Sequence, residues 1–429
     1  MDALKTGAKI LLALMAPPVG LALLVGIPLG AFALVDILFE EAMLALFVPG
    51  FALYVFAICL PAGLYHAAQK IGRAPSGAFR LPSVLWLGAG AVAAIAIGHV
   101  LLGASGSRSP FVFWFFFILS AALPPLAALA LAGQRLGYAT SWRRLAAGWL
   151  SGSLLSTHLT ILLGAGMSLL AYLLVLPLRE LAAAALASPS LERLFYSPTL
   201  AVAMVEIAMV APLVEELVKP LGAILLARRL RSPAEAFLVG MAGGAGFAIL
   251  ENMLYEASGA RVWAGIAAVR GMGGVLHPLN AGLVAMGWYA VRNGHPGAWG
   301  QLLRHYGLAV GLHALWNGGL VVLFSGLGAY FFGADAWQVS IYGLGQPGTV
   351  VVYLVILSVF MWRLLVVVTP RLRDPAQAEA EAEPLLALHL ENPRRLALWA
   401  TSLMVVLATL GALYGPLIER YVDRLLPLG

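Results

Sequence analysis

The 429-residue chain is 61% hydrophobic and 11% charged, with a mean hydropathy of +0.91, whereas a soluble domain carries about 25% charged residues. This composition excludes a globular fold around one large core and describes an all-α polytopic membrane protein. The net charge of +6 implies no nucleic-acid partner, because Lys and Arg in such a chain mark cytoplasmic loops. The single cysteine, Cys59, excludes an internal disulfide and a Cys-rich metal motif.

A membrane-spanning helix needs about 20 mostly apolar residues. About eleven runs qualify, at roughly 9–35, 42–65, 82–104, 110–133, 146–177, 198–227, 234–255, 262–291, 306–326, 348–369 and 396–418. The first run is expected to be a retained span rather than a cleaved signal peptide. Pro17, Pro18, Pro61, Pro124, Pro125, Pro212 and Pro278 predict kinks within spans rather than ends. Basic residues alternate between loops. Lys5 and Lys9 precede the first span, whereas Asp36, Glu40 and Glu41 follow it. Lys70, Arg73 and Arg80, then Arg135, Arg143 and Arg144, then Arg228, Arg229 and Arg231 mark the second, fourth and sixth loops. Arg292 and Arg304, then Arg371, Arg373, Arg394 and Arg395, mark the eighth and tenth. The positive-inside rule then puts the N-terminus in the cytoplasm and the C-terminus outside.

Three regions are expected. Residues 1–197 form an N-terminal five-helix membrane region, 198–326 a four-helix core, and 327–429 a two-helix region with a cytoplasmic acidic linker at 369–395. Residues 179–197 are expected to lie on the outer membrane surface, and 326–348 form a Gly-rich outer loop. No internal repeat is visible, which argues against an inverted-repeat transporter.

Ionisable side chains in hydrocarbon are costly and default to function. Four clusters of them fall in the four core spans. Glu215 and Glu216 lie four and three residues before Lys219, on one helical face. Glu251-Asn252 follows a Gly-rich stretch that allows close helix approach. The two point about 100° apart, so one is expected to face the site and the other a neighbouring helix. Arg270 and His277 are seven apart, and His313 and Asn317 four apart, so each pair shares a face. Glu206 is given no role. His99 and His158 are expected to be structural, and His66, His295, His305 and His389 to fall in loops. The alternative for each cluster is an ion pair or hydrogen bond that only holds helices together.

Amide hydrolysis suits this set. A Glu or a metal ion activates water, and His and Asn serve the tetrahedral oxyanion. No serine stands with a plausible His–Asp pair, no intramembrane Asp pair exists, and His-Glu-x-x-His is absent. These absences disfavour rhomboid-like, presenilin-like and site-2-type mechanisms. The competing class is a proton-coupled transporter that uses the same residues as an ion relay. Depth sets a condition on a single site. Measured from the basic residues at the helix ends, Glu215 lies about 20 Å, His277 about 22 Å and His313 about 12 Å into the membrane at 1.5 Å per residue. The three meet only if helices tilt or break, and Pro212 and Pro278 are the expected places.

The order Glu215-Glu216-x-x-Lys219, Phe247-x-x-x-Glu251-Asn252, Arg270 with His277, and His313-x-x-x-Asn317 resembles the PrsW family of intramembrane proteases. That family is itself similar to the CAAX-type prenyl proteases. The resemblance implies an enzyme of the cell membrane that clips a single-pass membrane protein. It implies Glu215, Glu216, His277 and His313 as catalytic residues, supported by Lys219, Glu251, Asn252, Arg270 and Asn317. A divalent metal such as zinc is one version of the mechanism, with Glu251, His277 and His313 as its expected ligands. A metal-free version is the other.

Overall fold

In the computed structural model of the chain, the described residues are 47, 49–71, 75–104, 110–137, 140–161, 163–164, 167, 205–258, 262–324 and 345–373. The expected spans 9–35 and 396–418 lie outside them, as do residues 179–197 and most of 326–348 and of the acidic linker. Among the described residues the chain is helical, with no strand and one isolated bridge between Ala78 and Ser141. The helices are α1 (Leu60–Ile71), α2 (Val84–Ala104), α3 (Pro110–Arg135), α4 (Trp142–Leu150), α5 (Ala211–Val218), α6 (Leu221–Leu226), α7 (Pro233–Ser258), α8 (Trp263–Met272), α9 (Leu276–Arg292), α10 (Ala298–Phe324) and α11 (Gly345–Leu372). Five helical stretches are long and apolar enough to cross a membrane: Pro49–Gln69, Val84–Leu102, Phe113–Arg135, Pro233–Ser258 and Val350–Leu372. His66 and His305, expected in loops, fall inside α1 and α10.

The centre of the bundle is α7. A helix that is apolar all round must be buried, and 89% of the α7 span is buried against 22% of α2. Neighbouring α3, α4 and α9 pack against α7. Phe237 and Met241 of α7 join Leu279 and Leu283 of α9, Trp316 of α10 and Leu354 of α11 in one core. Gly240, Gly243, Gly244 and Gly246 let backbones touch α7. A Cβ on Gly243 would stand 2.6 Å from the Lys219 carbonyl oxygen, and one on Gly244 would overlap the carbonyl oxygen of His277. On the opposite side, Gly152 meets the Gly243 carbonyl and Gly246 meets that of Trp149. The small residues thus bring α4, the end of α5 and the start of α9 around one level of α7.

Two expected spans are broken. The sixth enters through a π-helical turn, Glu206–Val210, runs through α5 and stops at Lys219-Pro220 before α6. Pro220 has no N–H to continue the ladder. Beside the break, the Val218 carbonyl accepts from Ser156 Oγ at 2.7 Å. The eighth splits at a short 3₁₀ turn, Gly273–Val275, into α8 and α9. Pro278, the third residue of α9, sits where a helix tolerates a missing donor. It therefore begins a helix rather than kinking one. Pro124 and Pro125 lie within α3 without ending it.

One charged cluster secures the first turn of α7. Glu235 is fully buried and accepts from Arg144 Nη1 at 2.6 Å, the Arg231 backbone N–H at 2.7 Å and Thr140 Oγ1 at 3.2 Å. It ties the start of α4 to the start of α7. Replacing Glu235 with Ala is expected to cost about 2–3 kcal/mol, the scale of hydrogen bonds to a charged group. Thermal unfolding in detergent measures it, and a midpoint equal to wild type would show the clamp to be idle.

Candidate active site

The two helix breaks settle the depth condition. Lys219 caps α5 and His277 is the second residue of α9, so both sit at interrupted helix ends facing α7 and α10. All nine residues expected at the site come together. Glu215, Glu216, Lys219, Asn252, His277, His313 and Asn317 are buried, and the side chains of Glu251 and Arg270 are nearly so.

Lys219 is the hub. Its Nζ lies 2.7 Å from Glu215 Oε2 and 2.9 Å from Glu216 Oε1, and 2.6 Å from His277 Nδ1. The ammonium also stands 4.5 Å above the Phe247 ring. An ammonium only donates, so His277 Nδ1 accepts and its Nε2 carries the hydrogen. That Nε2 donates to Glu251 Oε2 at 2.6 Å. His313 is held the other way round. Its Nδ1 donates to Glu216 Oε1 at 2.8 Å, and its Nε2 accepts from Asn317 Nδ2 at 3.0 Å. Glu215 Oε2 is 3.8 Å from His313 Nε2. The two imidazole rings meet edge to face, 5.1 Å between centroids.

Arg270 forms the far wall. Its Nη2 donates to Glu251 Oε2 at 2.6 Å and its Nε to Asn252 Oδ1 at 2.7 Å. The expectation for Glu251-Asn252 was a split between site and neighbouring helix. Asn252 does both, because a guanidinium fork is wide enough to reach two adjacent residues. Its Nδ2 donates to the Ala121 carbonyl of α3 at 3.0 Å. That carbonyl is free because its helical partner, four residues on, is Pro125. Asn317 follows the same logic. Its Nδ2 donates to the Ile207 carbonyl at 3.0 Å. In the π-helical turn Ala211 N–H bonds Glu206, and the donor five residues after Ile207 would be Pro212, which has none. Each asparagine thus takes a carbonyl released by a proline.

A further side chain at the site was missed from sequence. Tyr255 lies four residues after Glu251 on α7, and its ring packs under the Arg270 guanidinium at 4.6 Å. The i, i+4 spacing from Glu251 is the signal that marks it.

A family model described as PrsW family intramembrane metalloprotease matches residues 140–362, more than half of the chain. The chain belongs to the PrsW family. No curated protein and no solved structure matches it. The PrsW match begins at 140 and so takes in α4, which lies before the four expected core spans. Membership makes the chain an intramembrane protease, and it gives no support to the transporter alternative.

Metal chemistry can be tested on the donors. One ligand atom each from Glu215, His277 and His313 lie within 4.8 Å of one another, all buried. Two imidazoles and a carboxylate make a catalytic zinc set with an open position. The third carboxylate differs from the expected one, since Glu251 is turned to Arg270 and His277 while Glu215 faces both histidines. Charge agrees with the donor chemistry. Three carboxylates, Glu215, Glu216 and Glu251, face two cations, Lys219 and Arg270. The surplus negative charge in a desolvated pocket suits a proton or a cation. The donor types fit a divalent ion, which would take the His277 Nδ1 and His313 Nε2 lone pairs in place of the hydrogen bonds from Lys219 and Asn317.

Proposed function

We propose that this PrsW-family chain hydrolyses a peptide bond of a single-pass membrane protein within the cell membrane, with Glu215 taking the proton of the attacking water. The supporting observation is the convergence of Glu215, His277 and His313 on one buried point from three separate helices. The enclosing frame would be about eleven spans with the N-terminus in the cytoplasm. Glu215, His277 and His313 would hold a divalent ion such as zinc. When bound, such an ion brings the pKa of its water to about 7 and polarises the scissile carbonyl.

The side chains divide the remaining work. Glu215 contributes one carboxylate oxygen to the ligand group and keeps the other for the proton. Lys219 fixes the orientation of Glu215 and Glu216 together. Glu216 holds His313 through Nδ1, which leaves His313 Nε2 facing Glu215. Asn317 donates to that same nitrogen, a hydrogen bond the ion would displace, and its amide also holds the Ile207 carbonyl. This differs from the oxyanion role expected for Asn317. Arg270 is the better oxyanion donor, because its Nη1 makes no hydrogen bond to a described residue while Nε and Nη2 anchor it. Glu251 sets the direction of the His277 ring.

Metal removal tests the ion. Detergent-solubilised protein treated with a strong chelator is expected to lose proteolysis of extracted membrane proteins and to regain it with zinc. His313→Ala should bind less than a tenth of the wild-type zinc by elemental analysis. Full activity after chelation, with no metal left on the protein, would rule out the ion and leave Glu215 acting alone.

A further inference from the structure

A cavity of about 180 Å³ lies against the π-helical turn, and its lining includes Asn317 and Tyr255 of the site. Its walls include Glu206, Val210, Ala211, Val214, Tyr255 and Asn317. Three of these connect it directly to the site. Val214 precedes Glu215 in the chain, Asn317 donates to His313 Nε2, and Tyr255 supports the Arg270 guanidinium. A cavity of about 150 Å³ with apolar walls accepts a benzene molecule, so this one has room for a Leu, Met or Phe side chain. Glu206 supplies a carboxylate that forms no ion pair with a described residue. The broken ladder lines one side of the cavity. The π-helical turn and Pro212 push the backbone of 206–210 out of regular register, and Asn317 holds the displaced Ile207 carbonyl.

We propose that this cavity is the subsite that receives one large apolar side chain of the substrate beside the scissile bond, with Glu206 favouring a basic residue nearby. The proposal rests on the protease reading above. Val210, Ala211 and Val214 set the size limit, and Glu206 sets the charge preference. None of the four touches the reacting atoms, so they act as specificity-determining residues.

The test maps the new N-termini of membrane proteins in cells that carry wild type, Glu215→Gln, Ala211→Phe, Val210→Ala or Glu206→Lys. Cuts present in wild type and absent in Glu215→Gln define the activity. At one fixed position beside those cuts, Leu, Met and Phe are expected to predominate. Ala211→Phe fills the cavity and should reduce cuts at Leu and Phe at least tenfold while sparing cuts at Ala. Val210→Ala enlarges it and should add cuts at Trp. Glu206→Lys should shift the neighbouring preference from basic to acidic residues. An unchanged size profile in Val210→Ala, or a uniform loss in Ala211→Phe with no broadening in Val210→Ala, would overturn the subsite, as would a lipid-filled cavity that leaves both profiles at wild type. If no cut depends on Glu215 at all, the protease reading itself fails.

Discussion

Glu215→Gln is expected to lower peptide-bond hydrolysis by about 10²–10⁴-fold, the range that a positioned general base contributes, and by more if a ligand is lost with it. Gln keeps the shape of Glu215 but cannot take a proton. The fold should survive. The Glu215 side chain is already 8% exposed, and Lys219 keeps Glu216 and His277 as partners. Rate and thermal midpoint therefore separate, with a large fall in the first and a small change in the second. A variant that keeps within threefold of the wild-type rate would remove Glu215 from the chemistry. Equal losses of rate and midpoint would make it a packing residue.

Lys219→Met is expected to have the largest effect on stability, about 3–5 kcal/mol, the cost of removing one partner from a buried ion pair. Nζ is completely buried and serves two carboxylates and His277 Nδ1 at once. Its removal leaves Glu215 and Glu216 adjacent and without a cation. Adding Glu216→Gln to Lys219→Met should recover part of the loss, because it removes one of the stranded charges. Thermal unfolding in detergent reads both variants. A Lys219→Met midpoint at the wild-type value would mean that the cation is not what holds the carboxylates together, and the hub role would be abandoned.

Helical spacing made half of the site legible in the sequence. Glu215, Glu216 and Lys219 share a face because they are three and four apart, and His313 and Asn317 meet for the same reason. The breaks were less visible. The depth mismatch demanded them, but Pro212 and Pro278 were the expected places. The chain breaks at Pro220 and at Gly273–Val275 instead. Whether a helix runs on through a proline depends in part on another donor taking the carbonyl it leaves free, and that donor can be a distant residue. Asn252 finds the carbonyl freed by Pro125 across 131 residues, and Asn317 reaches Ile207 across 110. No local pattern predicts those pairs. The metal group shows the same limit. Glu251 and Glu215 are equally good ligands by type, but Glu215 is the one grouped with both histidines, while Glu251 Oε2 is held by Arg270 and His277 Nε2.

The contribution of α4 had a signal that the expected regions left unused. Gly148 of α4 and Gly152 of the π-helical segment that continues it, Ser151–Ser156, are four apart, the small-residue spacing that marks close helix contact. Gly152 does meet the Gly243 carbonyl, and Ser156 just beyond takes the Val218 carbonyl beside Lys219. The family match that starts at residue 140 covers the same helix. The family match thus begins before the first of the polar clusters.

The most direct measurement follows full-length single-pass membrane proteins in cells that express wild type or Glu215→Gln at equal levels. At least one such protein is expected to be cut within or beside its membrane segment in wild type and to remain intact in the variant. Identical fragment patterns in the two, under conditions where both proteins are folded and abundant, would contradict hydrolysis at this site and leave its carboxylates and histidines as a structural or ion-conducting cluster.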